Sequence, residues 1–127
     1  MLLMLDLQSG EKLVRLARAA VEKYFENRKI FLEKAKDKIL NEKRGVFVTI
    51  ETYPEKNLRG CIGFPYATLP LCEAVQRAAV SSAFEDTRFP QLKKEELDKI
   101  VFEISVMTEP ELIQVKNSKE YSSKIET

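Results

Sequence analysis

Apolar residues return at helical spacing near the start of the chain. Leu13, Leu16, Ala17, Ala20, Val21, Tyr24 and Phe25 share one face of a 3.6-residue period. Ser9 stands ahead of them as an N-cap, so the pattern predicts an amphipathic helix reaching roughly Asn27. From residue 30 to 44 the period weakens, and Ile30, Phe31, Ala35, Ile39 and Leu40 sit among charges of alternating sign. That stretch predicts a short second helix or a covering loop, with a solvated charged face rather than a grip on nucleic acid. Residues 45–52, GVFVTIET, are dense in β-branched side chains and predict a strand. The turn-forming YPEKN separates it from LRGCIGF at 58–64, which predicts an antiparallel hairpin with a longer loop.

Pro70 suits the first turn of a following helix. Leu71, Ala74, Val75, Ala78, Ala79 and Ser82 give that helix a narrow face of small residues, fit for close packing on a sheet. FEDTRFP, residues 84–90, reads as an irregular connection, and LKKEELDKI as a short polar helix or turn. Residues 101–107 alternate as a third strand, with Phe102, Ile104 and Val106 toward the core and Glu103 and Ser105 away. A short apolar run at 112–115 and a polar tail at 116–127 follow. Helices flanking hairpin-connected strands mean an α+β fold, mainly antiparallel sheet with flanking helices. At this length, residues 1–127 are expected to form one domain.

Composition narrows the function classes. An apolar fraction of 44% with 32% charged residues belongs to a folded globular protein rather than a disordered one. A net charge of +1 offers no bulk attraction for nucleic acid or an anionic membrane. The apolar N-terminal stretch is far too short to span a bilayer, and it lacks a basic region and a cleavage site. The expected location is therefore the cytoplasm, where Cys61 and Cys72 stay thiols, although the spacing alone leaves a bridge between them open. The chain has no histidine, which excludes Ser–His–Asp and Cys–His catalysis supplied in cis and the usual histidine-containing zinc sites. No metal is expected, because two cysteines ten residues apart do not make a structural zinc site alone.

Two clusters carry candidate chemistry. In LRGCIGF, alternation sends Leu58, Gly60, Ile62 and Phe64 to the core and Arg59, Cys61 and Gly63 to the other face. Arg59 and Cys61 then stand about 6–7 Å apart at the backbone, and a guanidinium that near favours the thiolate. Gly60 and Gly63 leave room beside the sulfur for a ligand or a second backbone. Against this, free cysteine is often a small buried filler, and glycines in strands often mark bulges. Cys72, on the apolar side of its helix, reads as core. The second cluster is Glu85, Asp86 and Arg88 around Thr87, either a clamp on its own loop or the polar wall of a pocket.

GVFVTI (45–50), LRGCIGF (58–64), the AxxSSAFEDTRFPQL stretch (79–92) and EISVMTEPE (103–111), in that order, resemble the AMMECR family. LRGCIG is that family's hallmark, its prokaryotic members are the nearest likeness, and the resemblance runs from the first helix to about Val115. It implies an α+β fold on antiparallel sheet and no established activity. It also implies association with Memo-like and radical SAM proteins in a shared modification pathway. The hallmark role falls on Leu58, Arg59, Gly60, Cys61, Ile62 and Gly63, and a second shared block falls on Asp86, Arg88, Phe89 and Pro90. Family members run on past the equivalent of 120–125, so the resemblance implies that this chain lacks their C-terminal part. The resulting expectation is an enzyme-like domain with Cys61 as nucleophile or acid–base thiol, acting on a small molecule or modified nucleotide. Arg59, Gly60, Gly63, Asp86 and Arg88 would bind, and Glu85, Asp86, Glu103 or a partner would supply the base. The cofactor is not legible. The alternative is a non-catalytic interaction module whose LRGCIG heptad merely closes the sheet.

Overall fold

The computed structural model describes residues 7–107. Helix α1 covers Leu7–Asn27 and buries Leu13, Leu16, Ala17, Ala20 and Val21, the predicted stripe. It already includes Leu7, so Ser9 lies within the helix and not at its cap. Arg28 ends the helix by turning left-handed (φ 56°), and its N–H donates to the Tyr24 carbonyl at 2.8 Å. The Arg28 guanidinium lies over the rings of Tyr24 and Phe84, which offsets part of the cost of that conformation.

Residues 28–38 form a covering strap with no helix, and a single 3-10 turn follows at Ile39–Asn41. The strap is tied down by a side chain acting as a strand partner. Gln76 accepts the Glu33 N–H on Oε1 and donates from Nε2 to the Glu33 carbonyl, both at 2.8 Å. Gln76 is 1% exposed, and these bonds satisfy an amide that would otherwise be costly to bury.

Strands β1 (Val46–Thr52), β2 (Leu58–Phe64) and β3 (Ile100–Val106) make one antiparallel sheet in the order β2-β1-β3. Val46, Val48 and Ile50 of the central strand are fully buried toward the helices, and Ile100, Phe102 and Val106 of β3 are buried on the same side. Ile104 is partly buried against the same core, while Glu103 and Ser105 are exposed on the far face, as the alternation predicts.

Alternation fails at one point. Ile50 pairs with Gly60 but Glu51 pairs with Leu58, so Arg59 is the extra residue of a β-bulge. The bulge reverses the facing of everything before it. Leu58, expected in the core, instead stands beside Glu51 and is 41% exposed.

Helix α2 (Leu71–Phe84) packs its small residues against β1 and β2, with Pro70 at the cap position. A 3-10 helix at Lys94–Lys99 leads into β3, and Arg18 of α1 donates to the Leu97 and Ile100 carbonyls to hold it. The fold is α+β. The run at 112–115 and the tail at 116–127 lie outside the described residues.

Candidate functional site

Gly60 faces α2. A Cβ there would collide with the Ser82 carbonyl oxygen, so the glycine is what lets the helix lie against the hallmark strand. The Ser82 hydroxyl accepts the Ile62 N–H (2.9 Å) and donates to the Val48 carbonyl (2.7 Å), bridging β2 and β1 from the core side. Gly63 faces the other way. A Cβ at that position would collide with the Val46 carbonyl oxygen and come within 2.6 Å of Phe47 Cα and Cγ, so the glycine lets β1 approach closely.

The bulge at Arg59 is held by the side chain it re-aims. Its guanidinium grips Glu96 through two 3.0 Å bonds and also donates to the Pro90 and Gln91 carbonyls. Burial pushes the Glu96 carboxyl up, but Arg59 and the Lys93 N–H outweigh it and leave it below its ordinary value. Arg59 is thus a clamp between β2 and the 90–96 segment. The expected pairing of its charge with Cys61 is replaced by pairing with Glu96.

A different cation reaches Cys61. Among the described residues β2 is an edge strand, and the outward N–H and C=O of Cys61 need partners. Asp86 accepts that N–H at 2.9 Å, and Arg88 Nη2 lies 3.4 Å from the carbonyl. Asp86 is 5% exposed and also accepts from the Arg88 backbone N–H, Nε and Nη2. The Arg88 guanidinium first, then the Cys61 and Arg88 N–H groups, hold its carboxyl well below the usual carboxylate range against the opposing effect of burial. Asp86 and Arg88 therefore cap the edge of the hallmark strand, and the two sequence clusters meet there. Glu85 lies apart from them, paired with the Ser81 hydroxyl at 2.8 Å.

The Cys61 thiol itself points away from both helices and is half-buried. Its Sγ lies 3.2 Å from Thr49 Oγ1 in a hydrogen bond across the β1–β2 pair. Thr49 pairs in register with Cys61 on one side and Glu103 on the other, so the three form a row on one face. Thr49 was missed from the sequence. Its signal was the hairpin register, which aligns it with Cys61 once the loop length is known. Glu96 was missed because nothing local marks a partner 37 residues from Arg59. Cys72 is buried as expected. Its thiol, pushed up by burial, donates to the Glu33 carbonyl at 3.2 Å, and both cysteines are free.

A groove of about 800 Å³ lies between α1 and β3, lined by Leu13, Val14, Phe102, Ile104 and Val106 and by the charged Arg18 and Glu103. Arg59, Cys61, Asp86 and Arg88 are not part of it. No group of His, Cys, Asp and Glu among the described residues is arranged to hold a metal. No helix among them is long and apolar enough to cross a membrane.

The AMMECR1 family model matches residues 14–126, most of the sequence. The chain belongs to the AMMECR1 family. Its relatives include Protein MJ0810 of Methanocaldococcus jannaschii, 50% identical over 122 residues that make up 96% of this chain and 60% of the relative. Protein MK0488 of Methanopyrus kandleri is 50% identical over 123 residues, 96% of this chain and 59% of that protein. The crystal structure of the uncharacterized protein PH0010 from Pyrococcus horikoshii superposes with a TM-score of 0.74 at 51% identity, covering 80% of this chain and 52% of that one. The chain thus spans between half and three-fifths of the length of these AMMECR1 relatives.

Proposed function

We propose that this AMMECR1 chain carries a thiol-dependent small-molecule site on the sheet face turned away from the helices, with Cys61 as the nucleophile. One observation carries the reading. Arg59, Gly60, Gly63 and Asp86 each have an architectural task, whereas among the described residues the Cys61 thiol is tied only to Thr49 Oγ1. Arg88 caps Asp86 and the Cys61 carbonyl at the strand edge, and its half-exposed guanidinium also suits an anionic part of the ligand. Of the three carboxylates expected as base, Asp86 is occupied by four donors and Glu85 by Ser81. Glu103, exposed on the same face, is the one left for proton transfer. The proposal extends to a modified nucleotide as ligand and to a pathway shared with Memo-like and radical SAM proteins, which is what the family resemblance implies.

The same accounting favours a second reading, in which the hallmark is structural and the domain is a non-catalytic interaction module. Iodoacetamide labelling of the folded protein, followed by peptide mapping, separates the two. Cys61 is expected to react at least about 100-fold faster than Cys72, whose raised thiol is shielded beneath the strap. Equal protection of both cysteines until the protein unfolds would leave only the module.

A further inference from the structure

The strap at 28–38 combines two properties that oppose each other. Its backbone is firmly held: Gln76 and Cys72 bind Glu33, and Asn41 Nδ2 donates to the Ala35 and Asp37 carbonyls. Ile30 and Ala35 pack beneath it against the core. Yet Phe31 is 48% exposed and Leu32 38% exposed, directly beside the anchor point. A floppy loop exposes apolar side chains only part of the time, whereas this one holds two of them outward on a fixed backbone.

The charges around that apolar pair are unbalanced. Residues 28–44 hold seven basic and three acidic side chains in a chain whose net charge is only +1. The strap's own acids are already engaged, Glu33 with Lys23 at 3.0 Å and Asp37 with Lys12 at 2.7 Å. Lys29, Lys34, Lys36 and Lys38 are exposed and form no ion pair among the described residues. An apolar centre inside a charged rim is the anatomy of a protein-binding patch, and a positive rim selects a negative partner.

We infer that the strap docks an acidic protein segment carrying an aliphatic or aromatic side chain. Phe31 and Leu32 form the anchor, and the four lysines form the collar. A discrete segment suits the surface better than an anionic bilayer. A flat membrane would also press on Glu22 and Glu26, which are exposed on α1 beside the Lys23–Glu33 pair. This surface is independent of the thiol reading, since no residue is shared.

The test is selection from a displayed library of random peptides, with affinities then measured by fluorescence anisotropy. The enriched peptides are expected to place Asp or Glu around one large apolar residue. Their Kd should weaken at least about tenfold in the Phe31→Ser/Leu32→Ser double variant. It should weaken by a similar factor in Lys34→Glu/Lys36→Glu, and on raising salt from about 0.05 to 0.5 M. All these side chains are exposed, so the melting temperature should stay close to that of the parent. Absence of enrichment overturns the inference, as do peptides that bind both double variants as tightly as the parent. Tighter binding to phosphatidylglycerol vesicles or to oligouridylate through Phe31 and Leu32 would also overturn it, by assigning the patch to a different partner.

Discussion

Gly60 and Cys61 are neighbours in the chain with opposite surroundings. Gly60 faces α2 with the Ser82 carbonyl oxygen against it, in a region where Val48, Ile50, Ala78 and Ala79 are fully buried. Cys61 faces away from the helices, half-buried, beside a threonine hydroxyl. The pleat of one strand puts them on two sides of the sheet. The difference separates residues that a fold demands from a residue that it merely displays. One side of the hallmark is filled to the limit of packing, and the other carries a half-buried thiol held by a hydrogen bond to Thr49.

Stability measurements can break that comparison. Gly60→Ala should have the largest effect, because the added carbon meets backbone that cannot rotate away. A loss of about 3 kcal/mol is expected, seen in chemical denaturation as a lower midpoint with little change in slope. Asp86→Asn should come next, at about 1–2 kcal/mol near neutral pH, since it weakens the cap on the edge of β2. Its pH dependence follows from the depressed carboxyl. The unfolded chain takes up its proton near pH 4, before the folded one does. Asp86 therefore contributes fully above about pH 4 and progressively less as pH falls toward its folded value. The gap between parent and variant should narrow on acidification, and a gap that widens instead would mean Asp86 is not held as a carboxylate.

Cys61→Ser should have the smallest effect, under about 0.5 kcal/mol, because the hydroxyl keeps a hydrogen bond to Thr49 and little apolar area is lost. If it destabilises as much as Gly60→Ala, the two faces of β2 are not different in kind. Cys61 would then be a packed residue of the fold.

Much was legible from residue order. Leu13 through Phe25 mark α1 because a 3.6-residue period is local, and 46–52 mark β1 because β-branched density is local. The small-residue face at Ala74, Ala78 and Ser82 announced a close helix–sheet contact, and the lack of histidine meant that these 127 residues supply no imidazole themselves. Those properties depend on neighbours within a few positions, or on composition alone.

Other features depend on which segments meet. A single inserted residue at the Arg59 bulge exchanged the facing of Leu58, and nothing in LRGCIGF distinguishes a bulged strand from a regular one. The partner of Arg59 is Glu96 and not Cys61, because the guanidinium reaches across to a segment that only the tertiary fold brings near. Asp86 and Arg88 looked equally like a loop clamp and a pocket wall. Folding placed them at the open edge of β2, where unpaired backbone groups needed an acceptor and a donor. Chain order carried the elements and the candidate thiol. Only the packed sheet decided which charged groups pair with one another and which face of β2 the thiol occupies, because both depend on segments distant in sequence.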